Sequence, residues 1–345
     1  MAGVADDDAG GLVGAFDALL LDLDGVLYVG EQPVPHAAAA LAQCSAAYEL
    51  QRAYITNNAS RTPEQVVDVL RRVGIEAKPA EVVTSAQVAA AHLAAELSSD
   101  SPVLVVGGEG LEQALRFEGL RAVRSLEDHP VAVVQGFHPD VGWRDLAMAA
   151  IAVRSGLPWV ASNADLTIPT AVGIAPGNGT LLAAVSAATG TEPVVVGKPN
   201  TPSVHAAIER LHAARPLIVG DRLDTDIEAA NRADVESLLV LTGVTDVVAL
   251  VRAPAIQRPT YISRDLRGLL EHYDPPIRTD NGVECGGWTF TIRGDRVVVT
   301  SRGSDSIHGI RALADACWTF ADRHAGAFVD CASAITEVAT GQASD

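Results

Sequence analysis

Basic residues are scarce in this chain of 345 residues: 25 lysines and arginines stand against 43 aspartates and glutamates, a formal net charge of −18. A phosphate backbone needs a basic footprint, so a nucleic-acid-binding surface is excluded. Any phosphate site must rest on a few local cations. Aromatic residues are only 4% of the chain while 48% of it is hydrophobic, so the core must be aliphatic, as in close-packed α/β layers. The four cysteines, Cys44, Cys285, Cys317 and Cys331, include no CxxC pair. They read as free thiols in a reducing compartment. No apolar run reaches membrane-spanning length. The opening, MAGVADDDAGG, lacks the basic and apolar regions of a secretory signal and reads as a disordered lead over 1–14. The expected setting is cytoplasmic, without membrane insertion.

What the chain does have is alternation. Short apolar runs, FDALLLDL (16–23), RAYIT (52–56), VLVVG (103–107), VAVVQG (131–136), WVAS (159–162), PVVVG (193–197), PLIVG (216–220) and SLLVLTG (237–243), read as strands. Between most of them lie stretches of helical spacing, such as Pro63 to Val73, Gln87 to Leu97 and Ser203 to His212. The pattern predicts βαβ units and a parallel, doubly wound sheet with helices on both faces. The length suits two domains. From about residue 275 the texture changes. DPPIRTDNG reads as a linker, Gly294-Asp295 as a hairpin turn between two β-rich runs, and the following stretch to His324 as an amphipathic helix. This predicts a small β-β-α extension over 275–345 with a frayed GQASD end. Trp143, Trp159, Trp288 and Trp318 read as packing residues.

Ligands of open α/β sheets bind beyond the carboxyl ends of the strands. That rule gathers Asp22 and Asp24 from LDLDG, Thr56, Asn57 and Asn58 from ITNN, Lys198 from VGKP, and Asp221, Asp224 and Asp226 from VGDRLDTD. Three or more converging carboxylates raise one another's pKa unless a hard cation joins them. Oxygen donors of this kind suit Mg²⁺, which binds through one or two carboxylates and substrate phosphate. A lysine and a hydroxyl beside it suit phosphoryl oxygens. One aspartate could then attack phosphorus, and a second, two residues on, could carry the proton. An EF-hand reading of the same stretch fails, because its fifth, sixth and twelfth positions are Val26, Leu27 and Pro33. GGEG (107–110) lacks dinucleotide-loop spacing. Asp224 reads as a solvated residue at a helix start.

DLDGVLY, ITNN, GKP and GDRLDTD resemble, in order, the four motifs of the haloacid dehalogenase superfamily of phosphatases. The resemblance implies Asp22 as nucleophile and metal ligand, and Asp24 as acid/base whose carbonyl also touches Mg²⁺. It implies Thr56, Asn57, Asn58 and Lys198 as phosphate-binding, Asp221 as the remaining metal ligand and Asp226 as an outer carboxylate orienting metal waters or Lys198. The 142-residue gap from Thr56 to Lys198 leaves room for a C2-type cap. The text from 162 to 185 is similar to the cap of the branch that includes phosphoglycolate, pyridoxal-phosphate and glycerol-phosphate phosphatases. The expected organisation is a core over 15–85 and 190–274, with an inserted α/β cap over 86–189. Asn163, Asp165 and Pro176-Gly177-Asn178-Gly179 are expected to close over the leaving group, and His138 and Asp140 are candidates for lining the substrate cleft. The extension is faintly similar to part of an acetyltransferase fold but lacks an acyl-CoA pyrophosphate loop.

The resemblance implies hydrolysis of a small phosphorylated metabolite, glycerol 3-phosphate first, and a homodimer. The alternatives are another small phosphoester, a phosphomutase, a non-catalytic sensor of phosphate ligands, or a chain whose tail also binds an acyl group.

Overall fold

The computed structural model describes residues 10–30, 32–170 and 173–340. Six parallel strands form the first sheet, in the order Tyr261–Ser263, Glu236–Val240, Pro216–Gly220, Ala18–Leu21, Gln51–Thr56, Val82–Thr84. The chain winds outward from Ala18–Leu21 in both directions, so the crevice at its carboxyl end is the place where a ligand can enter. All four of its residues are buried. Leu19 and Leu21 face helices Ala37–Ala47 and Pro63–Arg72, while Ala18 and Leu20 face Ser85–Glu96 and Pro202–Leu211. Alternate residues of one strand thus enter two cores, which is why it reads as continuously apolar.

Five parallel strands form the second sheet, in the order Val194–Val195, Trp159–Ala161, Ala132–Gln135, Pro102–Val106, Arg121–Val123. Helix Ser85–Glu96 joins the two sheets. Thr84 caps it through the backbone N–H of Gln87, and Ala86, Ala89, Ala90 and Leu93 share one apolar layer with Leu20, Ile55, Val103 and Val134. Its small side chains let the sheets approach from both sides. The outer face of the second sheet is covered by Trp143–Arg154 and Asn178–Thr189. An antiparallel pair, Thr167–Thr170 with Gly173–Pro176, projects beside it.

The sequence reading needs correction at four points. Val194–Val195 pairs with Trp159–Ala161 in the second sheet, although the expected core resumed at 190. Residues 1–9 and 341–345 lie outside the described residues. The rest of the expected disordered lead is built in: Leu12–Ala15 forms a 3₁₀ turn, Leu12 and Val13 are buried, and the Leu12 N–H donates to the Glu271 carbonyl. The supposed linker contains strand Ile277–Thr279. Trp143 is 80% exposed and is not a core packing residue.

The extension holds the expected hairpin and helix within a larger unit. Its antiparallel sheet runs Ile277–Thr279, Gly282–Cys285, Trp288–Arg293, Arg296–Ser301, followed by helices Ser306–Arg323 and Ala332–Thr340. Trp288 and Phe290 are fully buried and stack at 6.0 Å. Their cluster continues into Leu223, Leu239, Leu250 and Ile262 of the first sheet and its loops, so the unit is docked by apolar burial. The indole of Trp318 donates to the Leu250 carbonyl at 2.9 Å. All four cysteines are free and buried. Among the described residues, no helix is long and apolar enough to cross a membrane.

Candidate active site

Asp22 directly follows the central strand of the first sheet, and its N–H continues the ladder to the Val219 carbonyl. Asp221 follows the neighbouring strand Pro216–Gly220, and the chain then makes a wide helical turn over Leu223–Ile227 that brings Asp226 back beside it. Oxygens of Asp22, Asp221 and Asp226 lie within 4.8 Å of one another. The ammonium of Lys198 sits among them, 2.6 Å from Asp22 Oδ1 and 2.6 Å from Asp226 Oδ1.

Lys198, Asp221 and Asp226 are buried, and Asp22 is half-buried. Three carboxylates against one ammonium leave two negative charges uncompensated. Burial raises the pKa of Asp22 well above the ordinary value; Lys198 opposes this, and Asp226 and Asp221 add to it. Asp221 is pushed up to about 7, first by burial and then by the charge of Asp226. Burial alone would lower the pKa of Lys198, but Asp22 and Asp226 raise it, so it stays protonated.

Asp221 Oδ2 accepts from the Val244 N–H at 2.6 Å, while Asp221 Oδ1 is buried with no hydrogen-bond partner. A buried carboxylate oxygen without a partner is costly. Its proximity to two further carboxylates suits a divalent cation bound through oxygen. Two glycines make the packing possible. A side chain at Gly25 would meet Asp221 Oδ2 at 2.4 Å, and one at Gly243 would meet it at 2.0 Å. The φ of +84° at Gly25 favours glycine as well.

The side chain of Asp24 is outside this cluster and keeps solvent exposure. The protein around it raises its pKa, with Arg61 and then Lys198 opposing. Arg61 also faces the buried Tyr28 hydroxyl. The buried Thr56 hydroxyl accepts from the Asn58 N–H at 3.0 Å, and Asn58 Oδ1 accepts from the Ser60 N–H and hydroxyl. Asp226 Oδ2 accepts from the Arg222 N–H. Asp224 is exposed and paired with Arg222, as a solvated residue should be.

Asn57 and Asp165, both half-buried, and Asn163, buried, are tied to one another and to the Lys198 backbone. The Asn57 amide bonds both sides of the Lys198 peptide and the Asp165 carboxylate. Asn163 is buried and donates to the Asn57 carbonyl at 2.7 Å. The expected Pro176–Gly179 loop is the end of strand Gly173–Pro176 and the start of helix Asn178–Thr189, which holds this turn: Asn178 Nδ2 donates to the Asn163 carbonyl and the Gly179 N–H to the Asp165 carbonyl. His138 and Asp140, with Gly108, Arg124 and Asp145, line a polar recess of about 290 Å³, and Gly108 packs closely against the Ser60 backbone.

Sequence reading missed Arg61, Arg222 and the loop Thr242–Val244. Thr242 donates to the Gly25 carbonyl at 2.6 Å, and Gly243 and Val244 wrap Asp221. The signal for that loop was present, since LTGV follows strand Glu236–Val240 at the same sheet edge.

Residues 19–121 match the haloacid dehalogenase-like hydrolase family, and residues 195–269 match a second, HAD-hydrolase-like family. Residues 285–338 match a GCN5-related N-acetyltransferase-like domain. The chain is 43% identical over 310 residues to the D-glycerol 3-phosphate phosphatase of Mycobacterium tuberculosis, covering 88% of this chain and 86% of that protein. It is 36% identical over 253 residues to an acid sugar phosphatase of Staphylococcus haemolyticus, covering 73% and 94%. Among solved structures, the glycerol phosphate phosphatase of Mycobacterium tuberculosis in complex with magnesium superposes with a TM-score of 0.83 at 42% identity, covering 90% of this chain and 92% of that one. A p-nitrophenyl phosphatase from Archaeoglobus fulgidus superposes with a TM-score of 0.68 at 28% identity, covering 74% and 98%.

Proposed function

The chain belongs to the haloacid dehalogenase-like hydrolases and is a phosphatase of that type, and from that premise we propose that it hydrolyses glycerol 3-phosphate to glycerol and phosphate with magnesium as cofactor. The observation that carries the reading is the buried group of Asp22, Asp221, Asp226 and Lys198, with its unpartnered Asp221 oxygen. The glycerol 3-phosphate assignment is supported by the Mycobacterium tuberculosis relative, whose match extends through most of the chain. Magnesium is supported by the structure of that relative and by the donor set here.

Asp22, Asp221 and the carbonyl of Asp24 would hold the metal. Bound there, the ion supplies positive charge to the oxygens of the transferring phosphoryl group. Lys198 engages Asp22 Oδ1, which leaves Oδ2 to attack phosphorus in line. The P–O bond to the leaving group breaks as the Asp22–phosphorus bond forms. Asp24, whose raised pKa favours its protonated form, donates to the leaving oxygen. It then takes a proton from water, which attacks phosphorus, releases phosphate and restores Asp22. Lys198 and the Thr56 hydroxyl stabilise the phosphoryl oxygens. Asp226 holds Lys198 protonated and aimed. The free thiols support a reducing, cytoplasmic setting. The tail reads as structural, since its apolar face closes over the edge of the first sheet.

The test is inorganic phosphate release from glycerol 3-phosphate, 2-phosphoglycolate, pyridoxal 5′-phosphate, nucleoside monophosphates and p-nitrophenyl phosphate, with Mg²⁺ and with EDTA. Metal-dependent release led by glycerol 3-phosphate is expected. Another leading ester would overturn the substrate and keep the mechanism; no release from any ester would overturn both.

A further inference from the structure

The flexible four-carbon stem of a lysine does not aim its own ammonium. Lys198 also lacks a strand of the first sheet beneath it, because the strand that leads to it, Val194–Val195, lies in the second sheet. Its backbone is held instead by one side chain. Asn57 Oδ1 accepts from the Lys198 N–H at 2.9 Å, and Asn57 Nδ2 donates to the Lys198 carbonyl at 3.0 Å. The side-chain amide therefore clasps the peptide at two points. The second Nδ2 hydrogen faces Asp165, 3.3 Å from each carboxylate oxygen. An N–H on one side, and a carbonyl and a carboxylate on the other, fix which end of the amide is oxygen. No donor of the Asn57 amide is left for a substrate.

Asn57 is itself held from the far side. Its carbonyl accepts from Ser85 Oγ at 2.6 Å and Asn163 Nδ2 at 2.7 Å. Asn163 Oδ1 accepts from the Asp165 N–H at 3.2 Å, which closes the turn that presents the Asp165 carboxylate. Gly197 supplies an independent sign of close fit. A side chain there would meet the Ser162 carbonyl at 2.3 Å and Asn57 Oδ1 at 2.7 Å. The segment before Lys198 thus passes between the Ser162–Asp165 turn and the Asn57 amide with no room for a β-carbon.

We propose that Asn57 is a positioning residue, and that with Asn163 and Asp165 it fixes the Lys198 backbone so that its ammonium meets Asp22 and Asp226. A continuous set of hydrogen bonds runs from helix Asn178–Thr189, through Asn163 and Asn57, to the Lys198 peptide. The turn of the second sheet thereby sets the lysine that reaches the carboxylates of the first. This rests on the reading of Lys198 as the lysine that serves the phosphoryl group.

The test is a pair of double-mutant cycles on the full chain, reading phosphate release from p-nitrophenyl phosphate with Mg²⁺. Asn57→Asp keeps the shape but sets a carboxylate against the Lys198 carbonyl and Asp165. It is expected to lower kcat by roughly 10²-fold, with KM changed less than about threefold. In a Lys198→Ala background the same substitution is expected to lower kcat by less than about threefold, because its effect acts through the lysine. Asp165→Ala, at a half-buried turn, is expected to lower kcat by roughly fivefold alone and to show the same non-additivity with Lys198→Ala. Full-sized effects in the Lys198→Ala background would overturn the proposal. If Asn57→Asp fails to fold, the Asp165 cycle decides. Wild-type protein inactive on every ester would instead refute the phosphatase reading, so the two failures are distinguishable.

Discussion

The ammonium of Lys198 lies 2.6 Å from Asp22 Oδ1, although 176 positions separate the two residues. The same nitrogen lies 2.6 Å from Asp226 Oδ1. One lysine thus neutralises part of the charge of Asp22 while orienting it, and Asp226 keeps that lysine charged. The arrangement is electrostatically incomplete without a cation, since burial disfavours the ionised forms of Asp22 and Asp221.

Asp22→Asn separates chemistry from folding. Turnover is expected to fall by roughly 10⁴-fold or more, since an amide cannot form the acyl phosphate. Stability is expected to hold. Burial outweighs Lys198 in setting the pKa of Asp22, so a neutral side chain there relieves desolvation, and Lys198 keeps Asp226 as partner. Phosphate release and calorimetric Tm without metal are the measurements. Near-normal turnover would remove Asp22 as nucleophile.

Protons and magnesium should compete at Asp221. Its folded pKa of about 7 lies above the ordinary value of 3.8. As pH rises from about 4 to about 7, the unfolded chain gives up a proton that the folded chain retains, so stability falls through that window. Without metal, Tm is expected to drop by roughly 5 °C between pH 5 and pH 8. Saturating Mg²⁺ should raise Tm more at pH 8 than at pH 5. Asp221→Asn should abolish that difference. Calorimetry at both pH values checks it, and equal magnesium shifts in the wild type would contradict the assignment of Asp221.

The parts of the fold legible in the sequence were those with one dominant physical cause. Ala18–Leu21 and Pro216–Gly220 are buried on both faces, so their apolar runs stand out. Carboxylates directly after such runs mark the ligand edge, and this places Asp22 and Asp221 together from the sequence alone. Val82–Thr84, Arg121–Val123 and Tyr261–Ser263 escaped notice because each is a three-residue strand at the edge of its sheet. An edge strand needs no long apolar run. The sheet to which Val194–Val195 belongs was hidden because its pairing with Trp159–Ala161 is a long-range choice that composition does not record. The same holds for Asn57. An asparagine after a strand could face a ligand or a peptide, and only the return of Lys198 decides which.

Arg311 tests whether the tail is a structural cover. It stands on helix Ser306–Arg323 and is only 3% exposed. Its Nε donates to the Ile262 carbonyl at 2.9 Å, and its guanidinium lies 4.0 Å above the Tyr273 ring. Ile262 belongs to the edge strand Tyr261–Ser263, and two strands separate that edge from Ala18–Leu21 and Asp22. The guanidinium therefore closes the open side of the sheet without touching the candidate active site. Arg311→Met keeps most of the apolar stem but leaves the Ile262 carbonyl unpaired and removes the cation–π contact. The expected loss is about 2–4 kcal/mol, or roughly 5–10 °C in Tm. Well below the transition, kcat and KM for p-nitrophenyl phosphate should stay within about twofold of the wild type, because Asp22, Lys198 and Asp221 are held by other elements. Calorimetry and steady-state kinetics on the same preparation separate the two effects. A large fall in kcat with little change in Tm would show that the tail shapes the active site, and would overturn its reading as a cover.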